Sequence, residues 1–504
     1  MIPTYKISRI YAFLTAAISF FFMFSFHSFA YDLEKKVQKF TLENGLKVLI
    51  VERRLSPTAS LYIRYKVGAV DEADGRTGTA HFLEHMLFKG TKTIGTKNYR
   101  KERRILEKRD ETINALDLEK MKGEQGNQEK IEQLEEKLKI IQNAAKKCVV
   151  ENEIDRLYTE NGGVDLNAST GYDVTTYHVS LPSNKIELWA RIEADRMINP
   201  VFREFYSERN VVMEERRQTI ESNPDRKLME LFLAASFILH PYRRPIIGWS
   251  PDMPFLNIDY TKSFFKTYHS PNNTVIAIVG DVSTSQVIDI VRRYFGNIPS
   301  QELPVRNVPK EPPQKGERRV HYVADSSPQL YIGYHKPTLP SFDDYAFDII
   351  DTILSRGRTS RLFRSLVSEK GIATKVDTVN GFPGARYSNL FALFATPKNP
   401  FTVENLEDAI YEELDRLKNK PVDKREIEKA KNQLKADFLK GLSSNSGLAS
   451  TLSYYEVIAG DYRYITNHLE YIEKITAQDI MRVANTYLIA GNRTVAELVA
   501  KENK

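Results

Sequence analysis

The sequence predicts an α+β protein built from two related domains. With 504 residues the chain is too long for one hydrophobic core. A proline-rich and charged stretch, residues 297–319, is typical of a linker. After the linker the order of strand, loop and helix repeats. The first half contains the strand Leu61-Tyr62-Ile63-Arg64-Tyr65-Lys66, and the second half contains the similar strand Leu330-Tyr331-Ile332-Gly333-Tyr334-His335; each is followed by a loop and a helix. We therefore expect domains at 31–296 and 320–504; the alternative is chance similarity between two amphipathic strands.

Residues 1–30 have the features of a signal peptide. Lys6 and Arg9 precede an apolar run from Tyr11 to Phe26, and Ser28-Phe29-Ala30 is a small-x-small cleavage site. The mature chain is expected to begin near Tyr31, in the periplasm or outside the cell. The alternative is a retained membrane anchor, for which the run is short. No later stretch is long and apolar enough to form a stable membrane span.

Charge and cysteine content narrow the classes of partner. The formal charge of +6 includes two positive charges in the leader, so the mature chain carries 6 − 2 = +4. Positive residues are interspersed with acidic ones and form no basic patch with interleaved aromatic residues, which argues against a nucleic-acid partner. The single cysteine, Cys148, precludes an intramolecular disulfide.

The first half opens with strands that lead into a histidine-bearing helix. Strands are predicted at Val37–Leu42, at Leu46–Val51 after an Asn44-Gly45 turn, and at Ala59–Val67. The helix that follows, between Gly78 and Gly90, carries His81, Glu84 and His85 at i, i+3 and i+4.

One helix face therefore holds two imidazoles and a carboxylate. Two imidazoles one turn apart can share a Zn²⁺, and the glutamate can deprotonate a water that the metal activates. His-x-x-Glu-His is the inverzincin signature. The alternative is an amphipathic helix with two partly exposed histidines.

Residues 101–148 differ in composition from the rest and predict an inserted helical hairpin. They are dense in charged residues, lack proline and bend at 122–127. Apolar residues of the second arm alternate at spacings of three and four, as in a coiled-coil seam: Ile131, Leu134, Leu138, Ile141, Ala145 and Cys148. This seam needs a partner, either the first arm, with Leu106, Ile113 and Leu116, or another chain.

The remaining elements offer one further pair of acidic candidates. A strand pair is predicted at 164–180, helices at 186–197, 203–220 and 226–238, and a strand at 274–279. The helix over 203–220 places Glu208 and Glu215 seven residues apart on nearly the same face. Helical glutamates are usually solvated surface. The corresponding helix of the second half, 343–355, contains no histidine, so that domain is expected to be metal-free.

Four ordered segments resemble the pitrilysin and insulinase family of zinc metallopeptidases. They are Arg76–Thr91, Asn161–Thr170, Glu193–Met197 and Ser207–Glu215. The resemblance implies two homologous metallopeptidase domains and one Zn²⁺ per chain, bound by His81, His85 and Glu215. It makes Glu84 the general base and Glu208 a carboxylate supporting the ligands. It also places Leu166, Asn167 and Ala168 on an edge strand that pairs with the peptide substrate.

One departure from the family concerns the second domain. The family usually supplies from it an arginine and a tyrosine that reach the substrate, but the matching positions here are Val367 and Thr374, and Arg364 is out of register. The chain thus resembles the zinc-bearing subunit of the mitochondrial processing peptidase. We expect a heterodimer with a homologue that lacks the zinc motif and supplies the arginine and tyrosine.

The sequence accordingly favours a secreted zinc endopeptidase acting on small or unfolded peptides. The alternative is a non-catalytic scaffold or peptide-binding subunit of the same fold. A scaffold has no need to retain His81, Glu84, His85 and Glu215 together.

Overall fold

The computed structural model describes residues 33–305 and 308–501. The predicted signal peptide, residues 1–30, lies outside the described residues. Across the described part of the chain, no helix combines the length and the hydropathy required to cross a bilayer.

The first half is built on a six-stranded sheet of order β1-β2-β6-β3-β5-β4. Its strands are β1 (Val37–Thr41), β2 (Lys47–Glu52), β3 (Thr58–Tyr65), β4 (Val164–Thr170), β5 (Thr175–Pro182) and β6 (Thr274–Gly280). Every residue of β6 is buried, whereas the edge strand β4 has none buried.

Nine helices of at least eight residues accompany the described part of this sheet. They are α1 (Thr79–Phe88), α2 (Tyr99–Lys120), α3 (Gln128–Lys146), α4 (Glu153–Glu160), α5 (Ile186–Ile198), α6 (Phe205–Arg216), α7 (Pro224–Ser236), α8 (Ile258–Tyr268) and α9 (Thr284–Phe295). The helix predicted over 203–220 is shorter than expected. It ends at Arg216 and continues as one wide π-type turn, 217–221.

The second half contains a five-stranded sheet of order β7-β11-β8-β10-β9. Its elements are β7 (Arg318–Ala324), β8 (Gln329–Lys336), α10 (Phe342–Ser355), β9 (Ala373–Phe382), β10 (Asn389–Pro397), α11 (Val403–Asn419), α12 (Lys424–Gly441), α13 (Asn445–Ile458), α14 (Tyr464–Lys474), α15 (Ala477–Tyr487) and β11 (Arg493–Ala500). The strand β7 begins within the predicted linker.

The two sheets share one topology. Without β1, the first order β2-β6-β3-β5-β4 corresponds strand by strand to the second. In each sheet the first pair is parallel and the remaining pairs are antiparallel. The two similar sequences noted above lie in the equivalent strands β3 and β8. The predicted α+β fold of two related domains is therefore confirmed.

Each half contributes one helix to the sheet of the other. The helix α13 packs on the apolar face of β2, β3 and β6, and α7 packs on β8, β10 and β11. The contact is closest at Gly333 of β8, where an added Cβ would lie 2.7 Å from the ring of the fully buried Phe232. A buried ion pair of 2.9 Å between Arg386 and Asp71 also crosses between the halves. The exchange makes the two halves one packed unit.

The inserted hairpin is present as α2 and α3, which pack against each other. The predicted stripe of the first arm is buried, but of the predicted seam in the second arm only Cys148 is buried. The first arm is tied to the domain by Glu102, which accepts a 2.7 Å hydrogen bond from Arg203 with both side chains fully buried. The first arm is thus anchored in the domain, whereas the seam of the second arm, apart from Cys148, remains half-buried.

Candidate metal centre

The helix α1 begins at a tightly constrained position. Gly78 has a φ of +86°, and a Cβ there would lie 2.5 Å from the carbonyl oxygen of Ile247. The buried carboxylate of Glu72 accepts hydrogen bonds from the backbone N–H groups of Gly78 (2.9 Å) and Ala80 (2.7 Å). It thereby satisfies two of the donors that a helix N-terminus leaves free. Sequence reasoning missed this role of Glu72.

The predicted ligands converge between α1 and α6. The Nε2 atom of His81 lies 3.7 Å from Glu215 Oε1, and the Nε2 atom of His85 lies 3.6 Å from Glu215 Oε2. One donor atom from each of the three residues lies within 4.8 Å of the others. Of the His/Cys/Asp/Glu groups in the described residues, this is the set close enough together to hold a metal ion.

This donor set fits a zinc ion. Tetrahedral ligands at about 2.1 Å from zinc are separated by about 3.4 Å, close to the distances observed. The Nδ1 atom of His85 lies 3.0 Å from Glu208 Oε1, so an N–H at Nδ1 leaves the Nε2 lone pair for a metal. His81 lacks such support, since its buried Nδ1 has no hydrogen-bond partner among the described residues.

Glu208 is in turn held by Lys89, the residue that follows α1. The Lys89 Nζ atom donates a 2.6 Å bond to Glu208 Oε2. Burial opposes ionisation of Glu208, but its hydrogen bonds with His85 and Lys89 prevail and lower its pKa. Lys89 therefore completes a chain of contacts that runs through Glu208 to His85.

The electrostatics favour neutral, ligand-ready histidine at His81. Burial and the neighbouring His85 lower the pKa of His81 to about 4. Burial also raises the pKa of Glu84, although a 2.6 Å hydrogen bond from Thr170 to its Oε2 atom acts in the opposite direction. With Oε2 engaged by Thr170, the Oε1 atom of Glu84 remains the available proton acceptor.

The strand β4 lies at the sheet edge beside this cluster. Of the predicted peptide-pairing residues, Leu166 and Ala168 are half-buried and pack against the core, whereas Asn167 is exposed and its Oδ1 accepts the N–H of Ala168. Thr170 shares the face of Leu166 and Ala168 by the period of two. The same alternation, continued two residues past Ala168, could have indicated from the sequence that Thr170 faces the cluster.

The positions of the missing arginine and tyrosine lie in the second half. Val367 is half-buried against the second core, and Thr374 is exposed. Arg364 is 65% exposed and lies 3.3 Å from Glu369. None of the three has a contact with the cluster of His81, His85 and Glu215 among the interactions of the described residues.

An open cavity of about 690 Å³ adjoins the cluster. His81, Glu215 and Thr170 line one part of it, and Phe382 of the second half lines another. We call it the metal-side cavity. Its size is that of a small-molecule or side-chain binding pocket.

The two related α+β domains, with a candidate metal centre in the first, indicate the class of two-domain metallopeptidase folds, and comparison with known families agrees. The model "Insulinase (Peptidase family M16)" matches residues 47–116 and 139–250, and "Peptidase M16 inactive domain" matches 256–434. The chain belongs to the insulinase family, peptidase family M16. Residues 117–138, which span the hairpin tip, fall outside the matched segments.

Named relatives match over most of the chain. The zinc protease PqqE of Helicobacter pylori is 26% identical over 460 residues, covering 90% of each chain. A probable mitochondrial-processing peptidase subunit beta of Arabidopsis thaliana is 24% identical and covers 89% of this chain and 75% of its own. The crystal structure of a protease from Helicobacter pylori superposes with a TM-score of 0.77 at 26% identity, covering 92% of this chain and 99% of that one.

Proposed function

We propose that this chain is a secreted zinc endopeptidase that hydrolyses peptide bonds of small or unfolded peptides. The observation that carries the proposal is the convergence of His81, His85 and Glu215 beside Glu84. The name of the relative from Helicobacter pylori, a zinc protease, supports it. The leader-like residues 1–30 support export to the periplasm or beyond.

Each residue of the cluster has a distinct task in this reaction. His81, His85 and Glu215 would hold the zinc ion, which would supply Lewis acidity at the scissile carbonyl and lower the pKa of the attacking water. Glu84 accepts the proton of that water at Oε1 and later donates it to the leaving amine. Thr170 fixes the Glu84 carboxylate through Oε2, and Glu208 fixes the ring of His85.

The edge strand β4 is suited to hold the substrate. Within the described part of the chain no strand pairs with its outer side, so an extended peptide can pair with Leu166, Asn167 and Ala168. The Asn167 side chain accepts a hydrogen bond from the N–H of Ala168, and this bond must break before a peptide can pair with that N–H. Strand pairing of this kind selects extended, unfolded peptides over folded proteins.

We further propose that full activity requires a partner subunit that lacks the zinc motif. The exposed, Glu369-paired Arg364 and the side chains of Val367 and Thr374 offer no substitute for the family's arginine and tyrosine at the cluster. The name of the Arabidopsis relative, a processing-peptidase subunit, is in keeping with a multi-subunit arrangement.

The test is a peptidase assay on the zinc-loaded mature chain, fractionated by size exclusion. We expect weak or no cleavage by the chain alone and restoration by the partner purified from native extract. In either state the Glu84→Gln variant should lose cleavage and keep zinc. Full activity of the isolated chain would contradict the partner requirement, and an active Glu84→Gln variant would contradict the enzyme proposal.

A further inference from the structure

The metal-side cavity combines an apolar floor with arginines at its rim. Ile220, Leu233, Ile247 and Phe382 provide apolar surface, and Arg226 and Arg243 also line the cavity. Among the described residues that line the cavity, the carboxylates are those of the candidate ligand Glu215 and of Glu230.

The carboxylate of Glu230 is already neutralised. Arg216 donates to it at 2.7 Å and Lys227 at 2.6 Å, and Arg216 also lies 3.5 Å from Glu221. Two cations thus face two anions in this group. Glu230 leaves no negative charge to compensate the rim arginines.

Both rim arginines retain uncompensated positive charge. Within 33–305 and 308–501 the guanidinium of Arg226 has no hydrogen bond or ion pair, and the preceding Asp225 lines a neighbouring cavity instead. Arg243 lies 3.4 Å from Asp74, but Arg244 binds the same carboxylate at 2.9 Å. Two guanidinium groups therefore share one acid, and neither rim arginine has a carboxylate to itself among the ion pairs of the described residues.

From this arrangement we propose that the cavity recognises a carboxylate carried by the peptide substrate next to a large apolar side chain. The inference rests on the proposed peptidase function and names its substrate class. A guanidinium presents paired N–H donors that match the two oxygens of a carboxylate. The carboxylate is that of an aspartate or glutamate side chain, or that of the peptide's own C-terminus.

Peptide binding to the zinc-loaded Glu84→Gln chain tests this without cleavage. The probes are fluorescently labelled leucine- and alanine-containing peptides in which one position at a time is Glu or Gln, each with a free or amidated C-terminus, read by anisotropy. We expect about fivefold tighter binding when the carboxylate is present, the upper range for a partly exposed ion pair. If only the exchange of Glu for Gln changes the affinity, the carboxylate that the cavity binds belongs to a side chain. If only amidation of the C-terminus changes the affinity, the bound carboxylate is that of the C-terminus.

Arg226→Gln and Arg243→Gln should each reduce this preference, and the double variant should abolish it. The matched control is Arg217→Gln, an exposed arginine paired with Glu214 outside the cavity. Equal binding of acidic and neutral peptides, absence of binding, or a preference that survives the double variant would overturn the inference.

The two proposals fail in different ways. If the wild-type enzyme cleaves neutral peptides yet binds acidic and neutral peptides alike, the inference about the cavity fails and the proposed function stands. If acidic peptides bind more tightly but the wild-type chain cleaves none of them, even with the partner subunit, the cavity preference stands and the proposed function fails.

Discussion

The contact between Glu208 and His85 predicts how strongly the chain holds zinc. Glu208 is only 12% exposed and uses both oxygens, one 3.0 Å from His85 Nδ1 and the other 2.6 Å from Lys89 Nζ. Glu208→Gln keeps the size of the side chain but removes the charge that both contacts use. Loss of such an outer carboxylate typically weakens metal affinity about 10- to 100-fold, equivalent to about 1.4 to 2.7 kcal/mol.

The assay is competition for zinc with a chelator of known affinity at neutral pH. Glu214→Gln is the matched control, because Glu214 is an exposed glutamate on the same helix that binds Arg217 instead. Lys89→Met should weaken zinc binding less than Glu208→Gln, and adding it to Glu208→Gln should change little, because both act through one contact. A Glu208→Gln variant with wild-type zinc affinity would refute the reasoning.

Three further predictions concern the base, the exchanged helix and the response to acid. Glu84→Gln should lower kcat by about 10²- to 10⁴-fold, the usual contribution of a general base, with zinc content unchanged; equal loss of zinc would instead mark Glu84 as a ligand. Gly333→Ala should cost about 1–3 kcal/mol in chemical unfolding, since its Cβ would meet the ring of Phe232, and Phe232→Leu should relieve part of that cost; additive losses would contradict the contact. Burial lowers the pKa of His269 to about 3, so below about pH 6.5 the unfolded chain binds the proton that the folded state excludes, and stability falls by about 2 kcal/mol by about pH 5. His269→Phe should flatten that slope in urea unfolding, and an unchanged slope would refute the assignment.

Local features of the fold and site were predictable from sequence. The spacing of His81, Glu84 and His85 fixes their common face whatever the helix packs against. The hairpin was predicted over 101–148 and its helices span 99–146, because a charged, proline-free stretch with a defined bend has few other solutions. The similar sequences of strands β3 and β8, each followed by a loop and a helix, predicted that the two halves share one fold.

Contacts between distant segments were not predictable in this way. Lys89 lies beside the motif, yet its partner Glu208 belongs to another helix, and no local pattern joins them. The spacing of Glu208 and Glu215 made both candidates, but only the family resemblance assigned Glu215 as a ligand, because a helical glutamate is ordinarily surface. The exchange of α7 and α13 was also unforeseen, since an apolar helix face does not specify which sheet it covers.

The most direct test of the account is the location of zinc in crystals of the zinc-loaded mature chain, by anomalous scattering at the zinc edge. The account predicts one peak per chain, about 2.0–2.2 Å from the Nε2 atoms of His81 and His85 and from a Glu215 oxygen, with Glu84 beside it. A peak at other residues, or none at saturating zinc, would contradict the proposed metal centre and the peptidase function built on it.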